Sequence, residues 1–281
     1  LAAEENFHMY FAGESSDPIE RKNHKRYGVS SSALYAWWPK HAHRFDVAVE
    51  PREANRCGWV VEIDPYEPQQ KPIKRTALGR FKHEAATTAL DRDGRVVVYS
   101  GDDEAFEYLY RFVSKHRYDP ASRESNRDLL DEGELSVARF HDDGRLQWKR
   151  LQFGEGPLTA ANGFRDQAEV LIETRRAADL LGATRLDRPE DVETNPADGM
   201  IYALLTGNAG RAADDLDAAN PRNHNRSGHI LRLKPPGAPG QQIAHAADEF
   251  EWEIFLLAGD PNDPRQHAQY PGETADGGWF S

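Results

Sequence analysis

A single cysteine, Cys57, stands among 281 residues. That excludes an internal disulfide framework and any cysteine-rich zinc site. No apolar run approaches the length of a transmembrane helix. Neither a GxGxxG fingerprint nor a P-loop occurs, so no motif points to a dinucleotide or a nucleoside triphosphate. Positive charge is also short: 35 Lys and Arg face 47 Asp and Glu, a formal net charge of -12. Such a chain does not hold nucleic acid non-specifically. If it acts on anions, local cations or bound metals must reverse its field. No secretory leader and no initiator Met are present. The chain opens on "LAAEENF" and stops at "GGWFS"; both ends read as cut, and the expectation is a piece of a longer protein.

What is there is mostly strand and polar loop. Strands are expected at 58–65, 73–81, 84–90, 95–101, 107–114, 134–140, 145–153, 228–235 and 249–259. One helix is expected over 166–183, from the apolar stripe Val170, Leu171, Thr174, Ala177, Ala178 and Leu181. Gly182 is its stop, and the helix reads as an insertion packed on the outside.

A repeat organises the rest. "HEAATTALDRDGRVVVYSGDD" (83–103) has a counterpart in "PEDVETNPADGMIYALLTGN" (189–208). Glu84 falls on Glu190, the turn glycines Gly94 and Gly199 match within one residue, and "SGD" falls on "TGN". A third strand follows each hairpin. Four antiparallel strands per unit is the blade of a β-propeller. The period of about 106 residues requires long loop insertions. The predicted class is therefore all-β, a propeller of four-stranded blades covering about two to three blades, with one inserted helix. The expected divisions are a blade part over 1–81, a blade over 82–153, a helical insertion over 160–185, a blade over 186–260 and a loop over 261–281.

In a blade, the start of the first strand and the end of the second lie on one rim. Glu84 joins Asp102 and Asp103 there, Glu190 joins Asn208, and Glu4, Glu5 and Asn6 belong to the same rim. Strands converge at the channel mouth, so these acids should approach one another. Uncompensated carboxylates repel and raise one another's pKa. Hard oxygen ligands of this kind suit Ca²⁺, Mg²⁺, Mn²⁺ or ferric iron. Lys82, His83 and Arg188 are the nearby positive side chains, and a guanidinium at 188 can grip a pair of phosphate or carboxylate oxygens. Other residues read more plainly. The acids of "DRDG" and "NPADG" are turn chemistry. Ser100 and Thr206 read as core or rim hydroxyls, since neither has a base visible in sequence. His41, His43 and the histidines of "NHNRSGH" are scattered in loops. "YAWWPKH" (35–41) reads as loop packing, with a carbohydrate-stacking surface as the sharper option.

Taken in order, "LAAEENF", "GWVVEIDPYEP", "LGRFKHEAA", "YSGDDEAFEYLYRFVS", "RPEDVETNP", "TGN" and "NPRNHNRSGHILRL" resemble the PhoX-type alkaline phosphatases along nearly the whole chain. The resemblance implies a metal-dependent phosphomonoesterase of propeller fold, periplasmic or secreted, serving phosphate acquisition. It implies calcium together with ferric iron as cofactors. It marks Glu84 of "KHEAA" and Glu190 of "RPED" as metal ligands, places Glu4 and Glu5 at the metal cluster, and makes Arg188 the arginine that binds substrate phosphate. Ala3 stands where these phosphatases typically carry an iron-ligating cysteine, and Cys57 lies elsewhere. The expected partners are small phosphate monoesters, with no nucleic acid, no membrane span and a monomeric state. The rival readings are a non-catalytic calcium-binding propeller and a lactonase-like propeller hydrolase.

Overall fold

The computed structural model describes residues 1–31, 37–237 and 243–271. Two minimal strands, β1 (Val61–Glu62) and β2 (Ile73–Lys74), pair antiparallel, and Ala2 bridges to Val61 on the other side. A first meander follows: β3 (His83–Leu90), β4 (Arg95–Asp102), β5 (Leu109–Arg117), β6 (Gly133–Phe140) and β7 (Arg145–Arg150). A second contains β8 (Arg188–Thr194), β9 (Ile201–Thr206), β10 (His229–Lys234) and β11 (Glu249–Leu257).

These nine strands form one antiparallel sheet in the order β3-β4-β5-β6-β7-β11-β10-β9-β8. The first meander thus has five strands, where the repeat predicted four. The fifth, β7, turns back on β6, and its other edge pairs with β11, Gln147 opposite Glu249. The outer edges are stitched together, and an exposed strand edge is removed. The sheet folds round so that its two ends meet. Gly101 of β4 lies directly against Pro189 of β8.

That contact leaves no room for a side chain. A Cβ on Gly101 would sit 2.3 Å from the Pro189 carbonyl oxygen, a backbone atom that cannot swing aside. Gly101→Ala is expected to force β4 and β8 apart at a cost of about 1–3 kcal/mol. Thermal melting measures it; an unchanged melting temperature would show that the two strands separate freely.

Both inner strands carry a bulge near their start, after Glu84 in β3 and between Pro189 and Asp191 in β8. In β3 the extra residue, Ala85, takes the left-handed conformation, φ 64°. Bulges re-aim neighbouring side chains. Here they fall at Glu84 and at Glu190, the two glutamates that the repeat equates.

The core is in two parts. One lies between the meanders, with Tyr99, Trp148, Leu231 and Trp252. The other lies under the first meander, the N-terminal segment and the helices, with Phe7, Phe81, Tyr110 and Val170. Helix α1 (Pro18–Arg26) starts on an Asp17 cap that accepts from the Ile19 N–H, with Pro at the start. A single turn, α2 (Trp38–His41), carries Trp38 against Phe45, ring centres 5.3 Å apart, which is loop packing; Tyr35 and Ala36 lie outside the described residues.

The helix expected over 166–183 is two helices, α3 (Gln167–Ile172) and α4 (Thr174–Leu181), broken at Glu173. The cause is competition for carbonyls. The Leu171 carbonyl accepts from the Arg80 N–H and the Thr174 hydroxyl, and that of Ile172 from the Tyr27 hydroxyl. Nor is this pair an outside insertion. Val170, Thr174, Arg175, Ala177 and Ala178 are fully buried, and Arg175 reaches into the sheet. Among the described residues no helix is long and apolar enough to cross a membrane.

Candidate metal centre

Three segments bring one carboxylate each to the same point. Glu5 lies in the irregular N-terminal segment, just before a 3₁₀ turn at Phe7–Tyr10. Glu84 is the second residue of β3, and Asp103 follows the end of β4. One oxygen from each lies within 4.8 Å of the others. Local pairing explains the meeting. His83 sits opposite Asp102 and Glu84 opposite Gly101, which sets the strand ends level. The Asp103 N–H donates to the Lys82 carbonyl at 3.1 Å. The His83 N–H donates to the Glu4 carbonyl at 3.3 Å, which ties the N-terminal segment to β3.

Electrostatically the group is short of positive charge. Burial, then the charges of Glu5, Asp103, Glu190 and Asp191, push the Glu84 carboxyl up to about 7. Burial and Asp103 raise Glu5 as well. Asp103 is buried; its Oδ2 accepts from Arg188 Nη2 at 2.7 Å, while its Oδ1 has no hydrogen-bond partner. Lys82 is turned away, with Nζ 2.9 Å from Glu104 and 3.4 Å from His8. A buried carboxylate oxygen without a partner, beside two other acids, is the donor set of a hard cation. The residues present fit a metal.

The expected ligands do not all meet. Glu5 and Glu84 do, and the third member is Asp103, an acid on the expected rim but not among the expected ligands. Glu190 borders them, near enough to raise Glu84 but outside the compact group. Glu4 faces the other way, its Oε2 accepting from the Gly58 N–H at 2.7 Å. Asp102 is not a rim acid. It is fully buried, and both its oxygens accept from Arg175. Asn208 is buried beside the rim and bridges to Asn225.

The remaining candidates stay apart from this chemistry. Ser100 is buried, its Oγ 2.9 Å from His83 Nδ1 and 2.9 Å from the Ala85 carbonyl it donates to. Burial pushes the Cys57 thiol up to about 11, so it is protonated at neutral pH. Ala3 is exposed. No histidine joins a compact metal-capable group among the described residues.

The family model for alkaline phosphatase PhoX matches residues 1–281. The chain belongs to the PhoX alkaline phosphatase family. The solved structure of Pseudomonas fluorescens PhoX in complex with vanadate, a transition state analogue, is similar at 46% identity, with a TM-score of 0.85. The likeness covers 92% of this chain and 46% of that one, so the chain spans less than half of its solved relative. No curated protein matches. The all-β, propeller-type fold read from the repeat stands with this PhoX neighbour. In this PhoX-family chain the acid group lies where the inner strands β3 and β8 come together, with Arg188 at its edge.

Proposed function

We propose that this chain carries the metal-holding half of a phosphomonoesterase site acting on small phosphate monoesters. One observation carries the reading: three converging carboxylates, one with an unpartnered buried oxygen, meet a partly exposed arginine. Family membership and the vanadate complex of the PhoX neighbour support it.

Glu5, Glu84 and Asp103 would hold the metal, with Glu190 beside them. Calcium and ferric iron are the ions we propose, from hard oxygen donors and the family resemblance. Bound there, such ions provide Lewis-acid polarisation of the phosphoryl group and neutralise developing charge. The protein's own contribution is Arg188. Asp103 anchors one terminal nitrogen of the guanidinium. Its side chain is 39% exposed, which leaves further N–H donors facing solvent, where they can fork onto two phosphate oxygens. Burial of Asp103 keeps water from competing for that anchor. The proposal extends to a monomer in a periplasmic or secreted setting, on the resemblance alone.

The test is hydrolysis of a phosphate monoester by the full-length protein, together with elemental analysis. Arg188→Ala is expected to lower kcat/KM by about a hundredfold, with metal content unchanged. Arg188→Lys should recover little, because a point charge cannot make the bidentate contact. Full activity in Arg188→Ala would remove this arginine from the site. Lactone hydrolysis without phosphatase activity, or calcium binding without turnover, would overturn the proposal.

A further inference from the structure

The segment after β9 and the segment after β11 enclose an open cleft of about 540 Å³. Its walls contrast with a chain of net charge -12. Arg222, Arg226, Arg265, His224 and His267 line it, and no Asp or Glu does. Glu5, Glu84, Asp103 and Glu190 are all absent from its lining, so it is separate from the acid group.

Two of the three guanidiniums are in no ion pair among the described residues. Arg265 is paired with Asp263 at 2.8 Å. Arg222 is buried and in no ion pair among the described residues. Its terminal nitrogens donate to the carbonyls of Ala258, Gln266 and Gly228, and its Nε is buried with no partner. Arg226 is exposed and makes no side-chain hydrogen bond or ion pair among the described residues. Burial is costly to the Arg222 cation, the charge of Asp187 offsets that only in part from beyond ion-pair distance, and a bound anion relieves the rest. The other groups on the walls can also donate. Ser227 presents a half-buried hydroxyl. His224 uses Nδ1 on the Ala209 carbonyl at 2.8 Å, which leaves its Nε2. His224 and His267 both hold left-handed backbone, φ 47° and 50°, which is uncommon for residues with a Cβ and collects at ligand clamps.

The fold sets this cleft beside the rim, one strand outward from the acid group. Asn225 bridges to Asn208, and Gly207 packs on the Arg226 carbonyl. Across the sheet, Thr206 pairs with Arg188. We propose that the cleft is a second anion site, which takes inorganic phosphate or a phosphate-bearing small molecule independently of the metal centre. Donors on more than one wall suit a tetrahedral oxyanion, which accepts on every face.

Calorimetric titration of the full-length Glu84→Gln protein tests this with the metal centre disabled. Inorganic phosphate and phenylphosphonate, a non-hydrolysable stand-in for an ester, are titrated separately. One site per chain is expected for at least one of them, weakened by added salt. The tighter binder tells whether the natural anion is free or organic phosphate. Adding Arg226→Gln should weaken binding about tenfold or more, as expected for a hydrogen bond to a charged group. Arg226 is exposed, so this variant keeps the fold, whereas Arg222 ties three carbonyls and is left intact. Binding of neither ligand, or equal binding with and without Arg226, overturns the proposal. A protein that binds phosphate here yet hydrolyses no ester would refute the proposed activity and leave this site standing.

Discussion

Glu84→Gln in the full-length protein is expected to remove bound metal and turnover together. Burial and the charges of four neighbouring carboxylates push the Glu84 carboxyl up to about 7. Losing its charge takes one of three ligands from the compact group. Changing an outer-shell partner of a metal typically costs about 10–100-fold in affinity, and loss of a ligand should cost at least that. Elemental analysis should therefore find the variant depleted of metal after dialysis. The same substitution has the opposite sign on the metal-free protein. There Glu5, Glu84 and Asp103 repel one another, with Arg188 the one cation in an ion pair with them among the described residues, and a neutral amide in place of the Glu84 carboxylate relieves that repulsion. At pH 8 the metal-free variant should melt above the metal-free wild type. With metal present the order should reverse, because ligand binding stabilises only the protein that binds it. A variant that keeps its metal, or that melts lower in both states, would mean the acids are not assembled for a cation.

Much of the fold was readable because local signals agree with it. The turn glycines Gly94 and Gly199 take φ of 87° and 72°, and the strands they join pair in the register that alternation suggests. What stayed hidden depends on partners far along the chain. The pairing of β7 with β11 joins residues about a hundred positions apart, and no local pattern announces it. The break at Glu173 comes from Arg80 and Tyr27 taking carbonyls that the helix would have used. Helix α1 is a different case. "SDPIERKNHKR" holds an N-cap Asp followed by Pro at the start, and that signal was there to be read. It lacks an apolar stripe, which is why a search for periodicity passes over it.

The site divides in the same way. Convergence of the acids on one rim follows from strand direction, and it brought Glu5 to Glu84. Which acid of each adjacent pair faces the rim does not follow. Neighbouring residues on extended chain point to opposite sides. Hence Asp103 meets Arg188 while Asp102 enters the core, and Glu5 joins the group while Glu4 turns to Gly58. Choosing between them requires knowing what lies behind the rim, and that is Arg175, 73 positions from Asp102.

Arg175→Met is expected to be strongly destabilising. The guanidinium is fully buried. It donates from Nε to Asp102 Oδ2 at 2.7 Å, from Nη2 to the other oxygen of Asp102, and from Nη1 to Glu104 at 2.7 Å. Burial pushes the Asp102 carboxyl up, and Arg175 is the main influence holding it down. Removing one partner of such a pair leaves an uncompensated buried charge, at a cost of about 3–5 kcal/mol. In a domain of this size that lowers the melting temperature by roughly 6–20 °C. Changing both partners together, Arg175→Met with Asp102→Leu, should recover part of the loss, since an apolar pair of similar volume is often neutral. Metal binding should not recover with it. Asp102 Oδ1 accepts from the Lys82 N–H at 3.2 Å, and the Lys82 carbonyl accepts from the Asp103 N–H at 3.1 Å. The pair therefore braces the backbone that holds Asp103 against Arg188. Without that carboxylate the Lys82 N–H is left without its acceptor, and the acid group loses its rear support. The double variant should melt above Arg175→Met alone yet bind metal more weakly than the wild type. If stability and metal content return together, Arg175 serves the core alone and the bracing argument fails.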